Sequence, residues 1–233
     1  MKKLTPGMHI RVVSPSSSIE HIGGFEANLA AKERLEKLGF TVSFSEHYLE
    51  NDMLGSASIE SRVADIHAAF SDDSVDAILA TIGGFNCNEL LPYLDFELIA
   101  RNPKIFCGYS DTTALLSAIY TKTGMKTYMG PSYSSFKMDA LQDYQTESWL
   151  KAVSQTSYEL TPSEKWGDNA WYLPDAPLTF HETKWKVYHH GQAQATAIGG
   201  NLSTFSLLRG TPYAPTDENY VLFVEEAEED DYV

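Results

Sequence analysis

Basic residues are scarce in this chain. Lys and Arg number 17 against 32 Asp and Glu, a formal net charge of −15. Such a balance argues against nucleic acid or an anionic membrane surface as a partner. No Lys or Arg follows Arg209, and eight carboxylates do, from Asp217 and Glu218 to Asp230 and Asp231. Cysteine is nearly absent too. Cys87 and Cys107 form neither a disulfide framework nor a metal-ligand spacing, so a reducing, cytoplasmic setting and no metal or cofactor are expected. No apolar run approaches the ~20 residues of a membrane span. Met1-Lys2-Lys3-Leu4 leads into Thr5-Pro6-Gly7 without the apolar stretch of a signal peptide. Histidine stops at His190.

What is present is a strand–helix alternation. Strand-like runs cover His9 to Val13, Phe40 to Phe44, Asp76 to Thr81 and Lys104 to Cys107. Helical patterns lie between and after them: Phe25 to Leu38, Ser58 to Phe70, Glu89 to Leu94 and Asp111 to Tyr120. This alternation predicts an α/β fold: an amino-terminal parallel sheet flanked by helices over residues 1–130. Residues 131–186 lose the pattern and read as a linker with a Trp-rich loop. A second, smaller α/β domain begins at 187 and runs to 233, with a helix from Ser203 to Leu208 and a strand from Tyr220 to Val224.

Parallel sheets place their sites beyond the carboxyl ends of the strands. Two loops fall there. Gly108-Tyr109-Ser110-Asp111-Thr112 would lift a serine hydroxyl onto a strand-to-helix turn, where it can attack a carbonyl. Ser, Asp and Thr are also favoured helix caps, so a plain cap for Ser110 stays open, and Thr112 stands where the usual elbow has glycine. Gly83-Gly84-Phe85-Asn86 would let backbone approach a substrate and direct N–H groups at an oxyanion, or would simply turn the chain. Cys87, in that loop, is the thiol with a reactive setting, and a cysteine hydrolase is a competing reading. Glu225 follows an apolar strand and either orients an imidazole or opens a solvated acidic tail. Exposed Trp in the 131–186 stretch could stack on a planar ligand or plug a gap between domains. A binding module on the same fold, without chemistry, is the third alternative.

Taken in order, the motifs Ile82-Gly83-Gly84-Phe85-Asn86, Gly108-Tyr109-Ser110-Asp111-Thr112, Gly199-Gly200-Asn201-Leu202-Ser203 and Val221-Leu222-Phe223-Val224-Glu225 resemble the LD-carboxypeptidase and microcin-immunity family of serine peptidases. The resemblance implies a Ser-Glu-His triad with Ser110 and Glu225. It implies an oxyanion hole from the N–H of Asp111 and one in the Gly83-Gly84 loop, assigned to Gly84. The family histidine lies beyond the glutamate, so the chain is expected to be carboxy-terminally incomplete and inactive alone. Gly83, Phe85 and Asn86, with Trp166 or Trp171, are the expected substrate contacts. Ile82, where LD-carboxypeptidases carry arginine, is similar to the microcin-immunity branch, which cleaves amides of peptidyl-nucleotide conjugates. A small peptide or peptidyl-nucleotide is then the expected partner, with a muropeptide as alternative substrate. The resemblance also implies a homodimer.

Overall fold

The computed structural model describes residues 2–169 and 177–226. Its centre is a parallel sheet of five strands: β1 (His9–Val13), β2 (Thr41–Phe44), β3 (Ala77–Ala80), β4 (Ile105–Gly108) and β5 (Tyr128–Met129). They lie in the order β2-β1-β3-β4-β5. The chain order therefore reverses between β1 and β3, which opens a crevice beyond their carboxyl ends.

Alternate side chains of the central strands serve two cores. Ile10 and Val12 of β1, Leu79 of β3 and Ile105 and Cys107 of β4 pack on one face, against Leu35 of α1 (Leu29–Lys37). Val13, Ile78 and Phe106 pack on the other, against Ile66 and Phe70 of α2 (Ile59–Ser71) and Leu115 and Ile119 of α4 (Thr113–Thr123). The short α3 (Phe96–Arg101) joins this second face through Ile99. With helices on both faces, β3 and β4 are buried throughout, which is why their sequences are apolar runs rather than alternating ones.

Local chemistry fixes the helix ends. Ser58 caps α2 by accepting from Ser61 N–H at 3.1 Å. At the far end of α2 the buried Lys104 ammonium donates to Ala69 O at 3.1 Å and to Asp72 O. Gly124, at φ +69°, closes α4. The expected helix from Phe25 begins late, at Leu29. Asn28 directs its amide nitrogen at Ile22 O (3.1 Å) and Gly24 O (2.7 Å), which stabilises a 3₁₀ turn in place of the first α-helical turn. Pro92 keeps the Cys87–Tyr93 piece as a 3₁₀ helix.

The expected linker over 131–186 is corrected in its first third. A 3₁₀ turn (Tyr133–Lys137) and α5 (Gln142–Ser154) follow β5 directly and pack on the α1 face. Tyr133 and Phe136 are fully buried, and Trp149 stands edge-on to both Phe40 and Phe136. Polar residues fill the exposed side of α5, so its narrow apolar stripe is hidden in the sequence. Beyond it, a small antiparallel pair joins β6 (Lys165–Trp166) to β7 (His181–Glu182).

A second parallel pair, β8 (Thr196–Asn201) and β9 (Tyr220–Glu225), carries α6 (Leu202–Leu207). It is docked on α4 by Asn201 N–H to Thr113 Oγ1 (3.0 Å), Tyr120 OH to Asp217 (2.7 Å) and the buried Leu208. Leu222, Phe223 and Val224 of β9 are exposed. Among the described residues no helix is long and apolar enough to cross a membrane.

One ion pair ties the segment after β2 to α2. His47 donates its backbone N–H to Asp65 and places Nδ1 2.8 Å from Asp65 Oδ1. That hydrogen bond raises the His47 pKa above its usual 6.5, against the opposing effect of burial. A raised histidine stabilises the fold below its unfolded pKa, and the contribution disappears as pH rises through the folded value. Urea denaturation should therefore show a destabilisation by His47→Asn that is present at about pH 6 and fades above about pH 8. Equal destabilisation at both pH values would contradict this.

Candidate active site

Three loops meet in the crevice. They follow β1 (Ser14 to Ser18), β3 (Thr81 to Cys87) and β4 (Tyr109 to Thr112). β4 ends in Gly108, where an added Cβ would lie 2.9 Å from both Ala80 Cβ and Thr112 Cγ2. This close approach forces a sharp reversal. Tyr109 is extended, and Ser110 then takes φ +58° before α4 begins. Such a conformation in a non-glycine residue costs about 1–3 kcal/mol and persists only where the surroundings impose it. Among the described residues only Leu141 shares it outside glycine. Ser110 caps no helix: neither the 3₁₀ turn (Ser110–Thr112) nor α4 has a side-chain cap.

Gly83 faces this serine. A Cβ there would stand 2.7 Å from both Ser110 Cβ and Oγ, so glycine leaves open the space beside the hydroxyl. Ser17 N–H donates to Gly83 O at 3.1 Å, and the trans peptide turns the Gly84 N–H the opposite way. Gly84, at φ +152°, packs against the β1 loop, with a hypothetical Cβ only 2.5 Å from Ser17 Oγ. The N–H groups of Gly84 and Asp111 are joined to no acceptor among the described residues.

Asp111 contributes more than its backbone. Its carboxylate is buried and accepts from Ser16 Oγ and from Cys87 N–H (2.8 Å). Burial raises its pKa, and these hydrogen bonds act against the rise. Asn86, an expected substrate contact, is corrected. It is only 3% exposed, its Oδ1 accepts from Arg62 (3.0 Å), and its amide nitrogen donates to Ser56 Oγ (2.8 Å). Its side chain is therefore held within the protein. Phe85 is 63% exposed at the mouth of the crevice. Cys87 is corrected as well: it is wholly buried in the α4-side core, and burial pushes its thiol well above the usual pKa.

Glu225, the last residue of β9, pairs in register with Asn201. It is half-buried, so it does not open a solvated tail. Its neighbour Glu226 accepts from Ser203 N–H and from the Asn201 amide, both at 3.0 Å, and so holds the start of α6. Glu225 Oε1, by contrast, is buried with no hydrogen-bond partner among the described residues. Burial raises the Glu225 pKa, opposed by the adjacent Asn201 amide. Its charge is felt at the Tyr109 hydroxyl, next to Ser110 in sequence. The docking of β8 on Thr113 thus brings the carboxylate to the serine's neighbourhood.

Trp166 stands elsewhere. Its ring lies 5.0 Å from that of His181, and it lines a cavity of about 1020 Å³ with Tyr128, Tyr144 and Phe223. Neither Ser110 nor Glu225 lines that cavity. Trp171 falls outside the described residues. The seven histidines also lead away from the serine: His9 to Ser43 and Ser74, His47 to Asp65, His67 to Asp95 N–H, His181 to Trp166. His21 covers Gly55, and His189 and His190 are exposed. No group of three potential metal ligands occurs among the described residues.

Sequence reasoning missed Ser16, Tyr109 and Arg62. For Arg62 a signal existed. It sits three residues after Ile59 and four before Ile66, a cation on the apolar stripe of α2.

These features define an α/β protein with a left-handed serine at the carboxyl edge of its parallel sheet, after the strand next to β3. Residues 10–130 match the LD-carboxypeptidase N-terminal domain and residues 194–233 the C-terminal domain, so the chain belongs to the LD-carboxypeptidase family of S66 peptidases. It is 48% identical over 233 residues to the putative carboxypeptidase YocD of Bacillus subtilis, spanning 99% of this chain and 70% of that protein. Identity to the microcin C7 self-immunity protein MccF of Escherichia coli is 32% over 240 residues, 94% of this chain and 70% of MccF. The crystal structure of an MccF-like protein from Bacillus anthracis superposes with a TM-score of 0.93 at 48% identity, covering 97% of this chain and 69% of that one. MccF itself, in complex with aspartyl sulfamoyl adenosine, gives 0.88 at 32% identity over 96% and 69%.

The buried Cys87 leads to a simple expectation. Native protein treated with a thiol reagent such as iodoacetamide should leave Cys87 unmodified until denaturant is added, as read by peptide mass spectrometry. Modification of Cys87 in native protein at the rate of a free thiol would contradict its burial.

Proposed function

We propose that this protein is a serine hydrolase that cleaves an amide bond in a small peptide conjugate, with Ser110 as nucleophile. The observation that carries the proposal is the Ser110 turn: a hydroxyl held at φ +58° beside a glycine-lined space, with the N–H groups of Gly84 and Asp111 unclaimed. Ser110 Oγ attacks the scissile carbonyl carbon, and the oxygen of that carbonyl takes up negative charge facing the two N–H groups. Collapse breaks the C–N bond and releases the amine. Water then cleaves the acyl-serine ester and restores the hydroxyl.

The hydroxyl proton needs a base. The family resemblance implies a histidine, and the partnerless Glu225 Oε1 is the oxygen we assign to receive its N–H. Burial raises the Glu225 pKa, and a donated imidazole N–H would act against that rise. Among the described residues no histidine is bonded to Ser110 or to Glu225, so the base is assigned to none of the seven. For the substrate, we favour an acyl group joined to a nucleotide-like amine, because MccF is seen with aspartyl sulfamoyl adenosine. Phe85, exposed beside Gly84, offers an aromatic face for it. A cytoplasmic homodimer completes the reading.

In the full-length protein, a fluorophosphonate probe should form an adduct on Ser110 and none on Ser110→Ala. Labelling of the Ser110→Ala variant at the parent rate would overturn the proposal. With an aminoacyl sulfamoyl nucleotide as substrate, Glu225→Gln should lower kcat by about 10⁴, the loss for turning the carboxylate of such a triad into an amide. A Glu225→Gln enzyme within a few-fold of the parent would remove Glu225 from the mechanism.

A further inference from the structure

We propose that Arg62 is a positioning residue for this reaction, holding the glycine loop so that the Gly84 N–H faces the acyl oxygen. The inference rests on the serine-hydrolase reading above and deepens it.

Arg62 lies on α2, away from the crevice surface, and is 3% exposed. Its Nη1 donates to Pro15 O (3.2 Å), Asn86 O (3.2 Å) and Asn86 Oδ1 (3.0 Å). Nη2 reaches Glu89 Oε2 at 3.0 Å. One planar group therefore joins α2 to the loop after β1 and to the loop after β3. The Asp111 carboxylate grips the same two loops, through Ser16 Oγ and Cys87 N–H. The segment Gly83–Asn86 is thereby held between a buried cation and a buried carboxylate.

Two physical arguments give this arrangement a purpose. Burying a guanidinium costs several kcal/mol, and a leucine at this stripe position would give α2 the same packing without that cost. Gly83 and Gly84 also lack side chains of their own to lock them. Gly83 and Gly84 are conformationally free, so the direction of the Gly84 N–H has to be set by what grips the loop. Donors aimed in advance at developing charge lower the barrier only if they need no reorganisation, and a loose loop forfeits that advantage. Lysine could keep the charge, but its single nitrogen could not serve the Pro15 and Asn86 oxygens and Glu89 Oε2 together, which the guanidinium reaches through two nitrogens. Arg62 is not a catalytic residue, since it is buried and its guanidinium donates to protein oxygens.

The test uses the full-length protein with Arg62→Ala, Arg62→Lys and Ser110→Ala variants. Three readouts are taken: the second-order rate of fluorophosphonate labelling, its rescue by added ethylguanidinium, and amide exchange by mass spectrometry. Arg62→Ala should label about 10–100-fold more slowly, the scale for misplacing an oxyanion donor. Ethylguanidinium should restore much of that rate, and ethylammonium should not. Exchange at Ser17 and Cys87 should accelerate at least about tenfold while Ile78 and Phe106, in the central strands, stay protected. If Arg62→Ala is insoluble, Arg62→Lys carries the same comparison with a smaller loss. Parent-like labelling in the Arg62 variants, or a loss that tracks equally faster exchange in the central strands, overturns the positioning role. Undiminished labelling of Ser110→Ala instead overturns the underlying hydrolase reading.

Discussion

The close approach of β3 and β4 at their carboxyl ends is the constraint on which the site depends. Gly108 packs against Ala80 and Thr112 with no room for a side chain, and Gly83 packs against Ser110 in the same way. Between these contacts the backbone must reverse within two residues, and Ser110 absorbs the strain at φ +58°. A strained residue at the carboxyl edge of a parallel sheet, with no capping duty, is where stored conformational energy points to chemistry.

Everything around the turn keeps it from relaxing. On one side the α4 core presses Thr112, Thr113 and Leu115 into place. On the other, the Asp111 carboxylate ties the turn to the glycine loop and to Ser16. The β8–β9 pair docks on Thr113 through Asn201, and so brings a half-buried glutamate toward a serine 115 residues earlier in sequence. Glu225 and Glu226 are adjacent yet differ in role. Glu226 stabilises α6, and Glu225 retains an oxygen with nothing bonded to it among the described residues. Of the ten buried side-chain atoms without a partner among the described residues, it is the one carboxylate oxygen, the strongest acceptor of the set.

Much of the architecture is legible in the sequence because buried parallel strands are short apolar runs with turn residues at their ends. The four strands expected from His9, Phe40, Asp76 and Lys104 agree with the structure to within one residue or so. α5 is not legible, because only Trp149, Val153 and a few neighbours of its 13 residues touch the core. Ser110, Gly83, Gly84 and Glu225 stand out by position after strands, and the fold does gather the first three into one crevice with the fourth close by. Asn86 and Cys87 mislead for a shared reason. Residues beside paired glycines look exposed in sequence, but here the loop folds inward onto Arg62 and Asp111. Trp166 has the chemistry for stacking, and nothing in the sequence could report that its hairpin faces another cavity.

The central claim is that the Ser110 hydroxyl stands before two backbone donors ready for an oxyanion. A crystal structure of the full-length protein with a phosphonate bound tests it most directly. The account requires a bond from Ser110 Oγ to phosphorus, with one phosphonyl oxygen about 2.7–3.1 Å from both Gly84 N and Asp111 N. A phosphonyl oxygen turned to solvent, or an adduct on another residue, would contradict it.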